Sequence, residues 1–168
     1  MASIRGLQGA TVFNTGILAG VALSFSSVGV ALILESPTNL SLLRQWSMLR
    51  WSSRLLFSGA VPVLVGVPYA LLAYAFRASG AKARLYLLSA ALCLSPGLYG
   101  RFIMAPTEKR LEEKMAGMSV ADEAAEVLLR REGTAKYLVD HWGVLNLGRV
   151  AMVAGAGLSG LVASLSGR

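Results

Sequence analysis

Cysteine and histidine occur once each in this 168-residue chain, as Cys93 and His141. One cysteine excludes an internal disulfide, and the pair excludes a zinc site built from several Cys or His ligands. Charge is scarce as well: Asp, Glu, Lys and Arg make up 15% of the residues, where a soluble domain carries about 25%. The nine acidic residues are outnumbered by sixteen Lys and Arg, for a net charge of +7. Those cations form no basic block interleaved with aromatics, which argues against nucleic acid as a partner. They sit mostly between apolar runs, where membrane proteins keep their charges. A cleavable leader pattern is also missing, because Arg5 is the only early cation and the first apolar run is too long for a signal core.

What is present is apolar sequence. Hydrophobic residues make up 55% of the chain and the mean hydropathy is +0.59. Four runs approach the ~20 residues that a spanning helix needs: about 12–34, 55–76, 85–104 and 144–165. Backbone groups in lipid must pair within their own segment, so the runs predict helices, and four of them predict an all-α integral membrane four-helix bundle. Pro62 and Pro68 in the second run, and Pro96 in the third, each remove a backbone donor and predict bends.

The connections differ in character. Residues 77–83 form a short basic turn. Residues 35–53 are polar and include "LSLLRQWSMLRW", an amphipathic piece suited to the membrane interface. Residues 105–141 form the longest connection, a surface loop with helical pieces; Ser119 is an expected N-cap, Gly133 an expected stop, and "TAKYLVDHW" an expected start of the next helix. The first span closes with "LESPTNLSLL" and the third with "IMAPTEKRLE", so both are expected to end at Pro-Thr. Trp51 and Arg54, then Trp142 and Arg149, open the spans that follow. This echo fits two repeated helical hairpins. The larger loops and their flanks hold nine Lys and Arg against five at the termini and middle turn, tilting the larger loops toward the cytosol.

Charge embedded in lipid is expensive and marks function. Arg54 begins the second span, Arg101 lies near the end of the third, and Arg149 lies about a turn and a half inside the fourth. Alternating topology brings all three to one membrane face. Glu35, Trp51, Glu108, Asp140, His141, Trp142 and Asn146 belong to the same layer, predicting a polar, cationic, tryptophan-lined mouth on an apolar bundle. Asn146 and Arg149 share a helix face. Plainer readings stand beside this one. Arg54 can snorkel, Trp46, Trp51 and Trp142 can form an aromatic belt, and Glu35 and Glu108 can merely neutralise cations. The fourth span also carries small residues every fourth position, Ala151-Gly155-Ser159 and Ala156-Gly160-Ser164. They suit close packing within the chain or between two copies.

Three segments carry a family resemblance. "RQWSMLRWSSR" precedes the second span, "FIMAPTEKRL" closes the third, and "LVDHWGVLNLGRVAMVAGAGLSGL" opens the fourth. In this order and placement the chain resembles the fungal anthrone oxygenases and their small four-helix relatives. Trp46, Pro106, Thr107, Trp142, Asn146 and Arg149 match the family's motifs, while Glu108 stands where the family has asparagine. The resemblance implies oxidation of a polyketide anthrone to an anthraquinone by molecular oxygen, with no metal and no other cofactor. On that expectation Arg149 and Arg101 stabilise an anion and Asn146 orients it. His141, Glu108 or Asp140 acts as base. Trp142, Trp46, Trp51, Arg54 and Thr107 bind a flat aromatic substrate. The rival expectations are a non-enzymatic membrane scaffold and a small transporter.

Overall fold

The computed structural model describes residues 2–119 and 134–166. Among them there is no strand. Among the described residues there are four long helices: α1 (Ser3–Leu34), α2 (Asn39–Ala75), α3 (Gly80–Gly117) and α4 (Thr134–Leu165). All four are long and apolar enough to cross a membrane, and the protein is an integral membrane four-helix bundle. At 1.5 Å per residue α2 and α3 run for about 55 Å, well beyond the ~30 Å of bilayer hydrocarbon. Their surplus turns lie at one end, so α2 and α3 carry the bundle past the membrane there.

Two apolar cores stack along the bundle. One is built on Phe57, Val61, Val65, Tyr69, Tyr86, Cys93 and Val153. The second, at the extended end, is built on Leu42, Leu43, Trp46, Met104, Leu111, Val139 and Trp142. The outer surface is apolar, with Phe13 and Phe102 about 70% exposed, as lipid-facing residues are. Small residues let the helices approach. A Cβ at Gly160 would lie 2.5 Å from the Tyr69 hydroxyl, and one at Gly143 would lie 3.0 Å from the Val30 methyls. At Gly143 and Gly160 the missing side chain thus serves packing within the chain.

The extended end departs from the expectations in two places. The segment 39–53 does not lie in the interface. It is the first half of α2, and Leu42, Leu43 and Trp46 are fully buried. Nor does α3 stop at Pro106-Thr107. Its helix continues through Ser119, which therefore belongs to this helix instead of capping the next, while 134–141 starts α4 as "TAKYLVDHW" led one to expect. The wider turn just before Pro106, a π-helical stretch at Gly100–Met104, makes room for the proline ring, and burial of Met104 and Leu111 holds the continuation. The expected surface helix ahead of Gly133 lies outside the described residues. By contrast Pro37-Thr38 is a true stop. Thr38 is extended, and its Oγ1 accepts from the Ser41 amide at 3.1 Å, an N-cap for α2. The two Pro-Thr pairs therefore do opposite things, and the echo does not extend to matching helix ends.

Four π-helical turns interrupt the ladders: Phe25–Gly29 in α1, Leu56–Ala60 and Pro62–Gly66 in α2, and Gly100–Met104 in α3. Pro62 opens one of them, as a residue without a donor forces the ladder to shift. Three of the four lie at the level where the two cores meet, and such turns frequently occur at functional sites.

Candidate functional site

Between the two cores lies a buried polar cluster centred on Arg149, which is only 4% exposed. Its Nε donates to the Pro96 carbonyl at 3.3 Å. Its Nη1 donates to Ser53 Oγ and to Asn146 Oδ1, both at 3.3 Å. Asn146, one turn earlier on α4, is held in turn: its Oδ1 accepts from Ser53 Oγ at 3.2 Å and its Nδ2 donates to Ser26 Oγ at 2.8 Å. Ser26 donates onward to the Ala22 carbonyl. Every helix thus contributes one support: Ser26 from α1, Ser53 from α2, Pro96 from α3 and Asn146 from α4. The guanidinium lies 5.2 Å from the centre of the Phe57 ring, a cation–π contact. On its other side is Gly100, where a Cβ would fall 2.8 Å from Cζ. Glycine there lets the cation lie against the α3 backbone.

All the hydrogen-bond acceptors around Arg149 are neutral. Among the described residues no carboxylate pairs with it, and its Nη2 has no hydrogen-bond partner. Glu108 acts on it only through space, and a buried cation without a direct counter-ion favours an anion placed beside it.

One layer outward sits Glu108, also 4% exposed. Its Oε2 accepts from Arg50 Nε at 2.7 Å and Arg54 Nη2 at 3.3 Å. Its Oε1 accepts from Trp142 Nε1 at 3.3 Å. Arg50 also pairs with Glu112 and lies over the Trp46 ring at 5.4 Å. Two cations and an indole N–H serve one carboxylate, so the pairing is well compensated, and it ties α2 to α3 and α4.

Both clusters line a groove of about 1090 Å³ between α2 and α3. Its walls are apolar or small: Leu55, Phe57, Gly59, Pro62, Leu94, Gly97, Leu98, Gly100 and Ala105. Its polar lining is Arg54, Ser58, Arg101, Glu108 and Arg149, with Trp51 at the rim. The volume is at the upper end of the roughly 300–1,000 Å³ usual for small-molecule pockets.

Of the expected site residues, Arg149, Arg101, Glu108, Arg54 and Trp51 line this groove together. Asn146 stands behind Arg149 and orients it. Trp142 and Trp46 do not line the groove. Both are fully buried and pack edge to face, with ring centres 6.3 Å apart; Trp142 donates to Glu108 and Trp46 lies under Arg50. Neither forms an interfacial belt. Thr107 is buried beside them and also outside the groove lining. His141 is exposed, stacked on Tyr137 at 6.2 Å, and Asp140 is exposed; neither side chain lines the groove, and Glu108 is the carboxylate that does.

The sequence reading missed Arg50, Ser26, Ser53, Phe57 and Gly100. Trp46, Arg50 and Arg54 follow one another at four-residue spacing, a helix-face signal available once 39–53 is read as part of α2. The serines gave no signal, because a serine in an apolar helix ordinarily bonds its own preceding turn.

Comparison with known families now bears on this geometry. A family described as "Anthrone oxygenase" matches residues 48–159, about two thirds of the chain. The chain belongs to the anthrone oxygenase family. No curated protein and no solved structure matches it. The anthrone oxygenase match contains every residue that lines the groove, together with Arg50, Ser53, Trp142 and Asn146. Ser26, on α1, lies outside it.

Proposed function

We propose that this protein is an oxygenase that converts a polyketide anthrone to the corresponding anthraquinone with molecular oxygen and no further cofactor. The observation that carries the reading is Arg149: a buried guanidinium with neutral supports, one nitrogen without a partner, and an apolar groove against it. An anthrone is a flat tricycle with an acidic methylene flanked by two rings and opposite a ketone. Its reactive form is an anion, delocalised onto the ketone oxygen. A site that holds an unpaired cation in a dry, apolar slot favours that anion over the neutral ketone.

In this mechanism the tricycle lies between the apolar walls with its ketone oxygen toward Arg149. Asn146, Ser53 and the Pro96 carbonyl fix the cation, so it does not reorganise as charge develops. Glu108, the carboxylate in the groove, accepts a methylene proton. Both its oxygens are engaged, but the Arg54 contact is long and the Arg54 side chain is 59% exposed, so this partner can turn to the ligand. The carbanion passes one electron to dioxygen, and the resulting radical pair combines to a peroxide anion at the former methylene carbon, which takes the proton back from Glu108 to give a hydroperoxide. Loss of the remaining hydrogen there as a proton, with cleavage of the O–O bond, gives the new ketone and one water. One anthrone and one dioxygen thus yield one anthraquinone and one water. Dioxygen, being apolar, reaches the groove through the lipid.

The test is to add purified protein in lipid nanodiscs to emodin anthrone under air and follow quinone absorbance. The expected result is acceleration well above the uncatalysed background. Several anthrones oxidised at background rate would refute the reading.

A further inference from the structure

The groove is closed at both ends along the helices but not at its side. Toward one end Gly66 and Cys93 bring α2 and α3 together, with only 3.4 Å between the Cys93 Cβ and a Cβ built at Gly66. Toward the other, Arg50 and Arg54 reach across to Glu108. Between these closures the helices part, and the edges of the gap are lipid-facing residues: Leu55, Leu94 and Leu98 are 56–60% exposed. Arg101 stands at the outer rim of the same gap, exposed, and pairs with no acidic group among the described residues. It lies three residues from the end of the apolar run, at the depth where polar lipid headgroups begin.

We propose that the gap between α2 and α3 is a side entrance open to the bilayer, and that Arg101 selects ligands bearing an anionic group on their rim. The ligand is a flat aromatic molecule dissolved in the membrane, with a carboxylate or phenolate at its edge. It slides in between Leu55 and Leu98 with its anionic edge held at the headgroup level by Arg101, and its body comes to lie against Phe57 and Arg149. Arg149 and Arg101 then have separate tasks: the inner cation meets charge that develops during reaction, and the outer one meets charge the ligand already carries. This deepens the oxygenase reading by naming how its substrate arrives and what it carries. It rests on that reading only for the identity of the ligand.

Binding without turnover tests it. Protein in phosphatidylcholine nanodiscs is titrated with 9-anthracenecarboxylate and with the neutral 9-anthracenemethanol, reading energy transfer from tryptophan to anthracene. The expected result is about tenfold tighter binding of the anion, the scale of one charge-assisted hydrogen bond. Arg101→Gln removes that preference and leaves the neutral probe unchanged; since the residue is exposed, the variant keeps its fold, checked by circular dichroism. A preference that survives Arg101→Gln overturns the selection role. Narrowing the gap with Leu98→Trp slows association of both probes at least tenfold, and an unchanged rate overturns the side entrance. Replacing half the phosphatidylcholine with phosphatidylglycerol separates the ligand from the lipid. If the anionic lipid weakens probe binding in the wild type but not in Arg101→Gln, the mouth belongs to a phospholipid headgroup and the proposal fails. Specific binding of the anionic probe by a protein that oxidises no anthrone would leave this inference standing and remove the oxygenase reading.

Discussion

Substituting Gly100 by alanine adds one methyl group and removes none of the charged or hydrogen-bonding groups. The backbone at Gly100 is ordinary right-handed helix (φ −60°, ψ −39°), so alanine suits it and by itself stabilises by about 0.5–1 kcal/mol. The added Cβ, however, overlaps Arg149 Nη2 and falls 2.8 Å from its Cζ and 3.2 Å from its Nε. A free arginine would swing aside at little cost. This one is fixed by Pro96, Ser53 and Asn146 and packed on Phe57, so moving it breaks hydrogen bonds from a charged donor, each worth about 1.5–3 kcal/mol. Overpacking outweighs the backbone gain, and Gly100→Ala is expected to destabilise by roughly 1–2 kcal/mol net. Displacing the cation by about 1 Å lowers turnover on the order of 100-fold. Gly97, one turn earlier on the same groove wall, provides the control: the nearest atom to a Cβ there is Ser58 Oγ at 4.0 Å. Gly97→Ala is therefore expected to leave stability and rate nearly unchanged. The assay is anthrone oxidation in nanodiscs, paired with thermal unfolding in detergent followed by tryptophan fluorescence. Equal rates for the two variants would refute the claim that Arg149 is positioned against α3.

Other outcomes follow from the same contacts. Ser53→Ala removes a partner shared by Arg149 and Asn146; it is expected to lower stability by about 1–2 kcal/mol and to slow turnover more than it weakens binding, read as a fall in kcat with KM nearly constant. Glu108→Gln leaves Arg50 and Arg54 facing a neutral amide. Because Arg54 is mostly exposed and Arg50 keeps Glu112, the loss is expected near 1–2 kcal/mol rather than the ~3–5 of a sealed pair, while anthrone oxidation falls about 10²–10⁴-fold for want of the base. Gly160→Val strikes the other core, where a Cβ meets the Tyr69 ring. It is expected to lower the unfolding midpoint while the folded fraction keeps its specific activity.

The bundle was legible because hydrophobic length is a strong signal, and each of the four apolar runs lies on a long helix. The polar layer was legible for a similar reason. Embedded cations are rare, and alternation of the spans alone places Arg54, Arg101 and Arg149 on one face; the groove they line follows from that. The extended end was not legible. Pro106 and the polar composition of 39–53 and 105–117 are the usual marks of a loop. What keeps those residues helical is the second core, formed by Leu42, Trp46, Met104, Leu111 and Trp142, and such packing is a tertiary effect that no local pattern announces. The same core withdraws the tryptophans from the belt and from the ligand, leaving Trp51 at the rim. His141 drew attention as the only imidazole, yet its place on α4 turns it outward onto Tyr137. Ser26 and Ser53 come into view only when the side chains are seen to converge on Asn146 and Arg149.

If the buried cation of Arg149 carries the chemistry, replacing that residue with methionine removes most of the rate. Methionine keeps much of the side-chain length without the charge; the hydrogen bonds to Pro96, Ser53 and Asn146 are lost while a buried charge is removed, and a net stability loss of about 1–3 kcal/mol is expected. The measurement is oxygen uptake by the wild type and Arg149→Met, in identical nanodiscs with a saturating anthrone. The wild type is expected to consume one dioxygen per quinone formed, and the variant to be folded but slower by about 10²–10³-fold. A folded Arg149→Met protein that consumes oxygen at the wild-type rate would contradict that role for the cation.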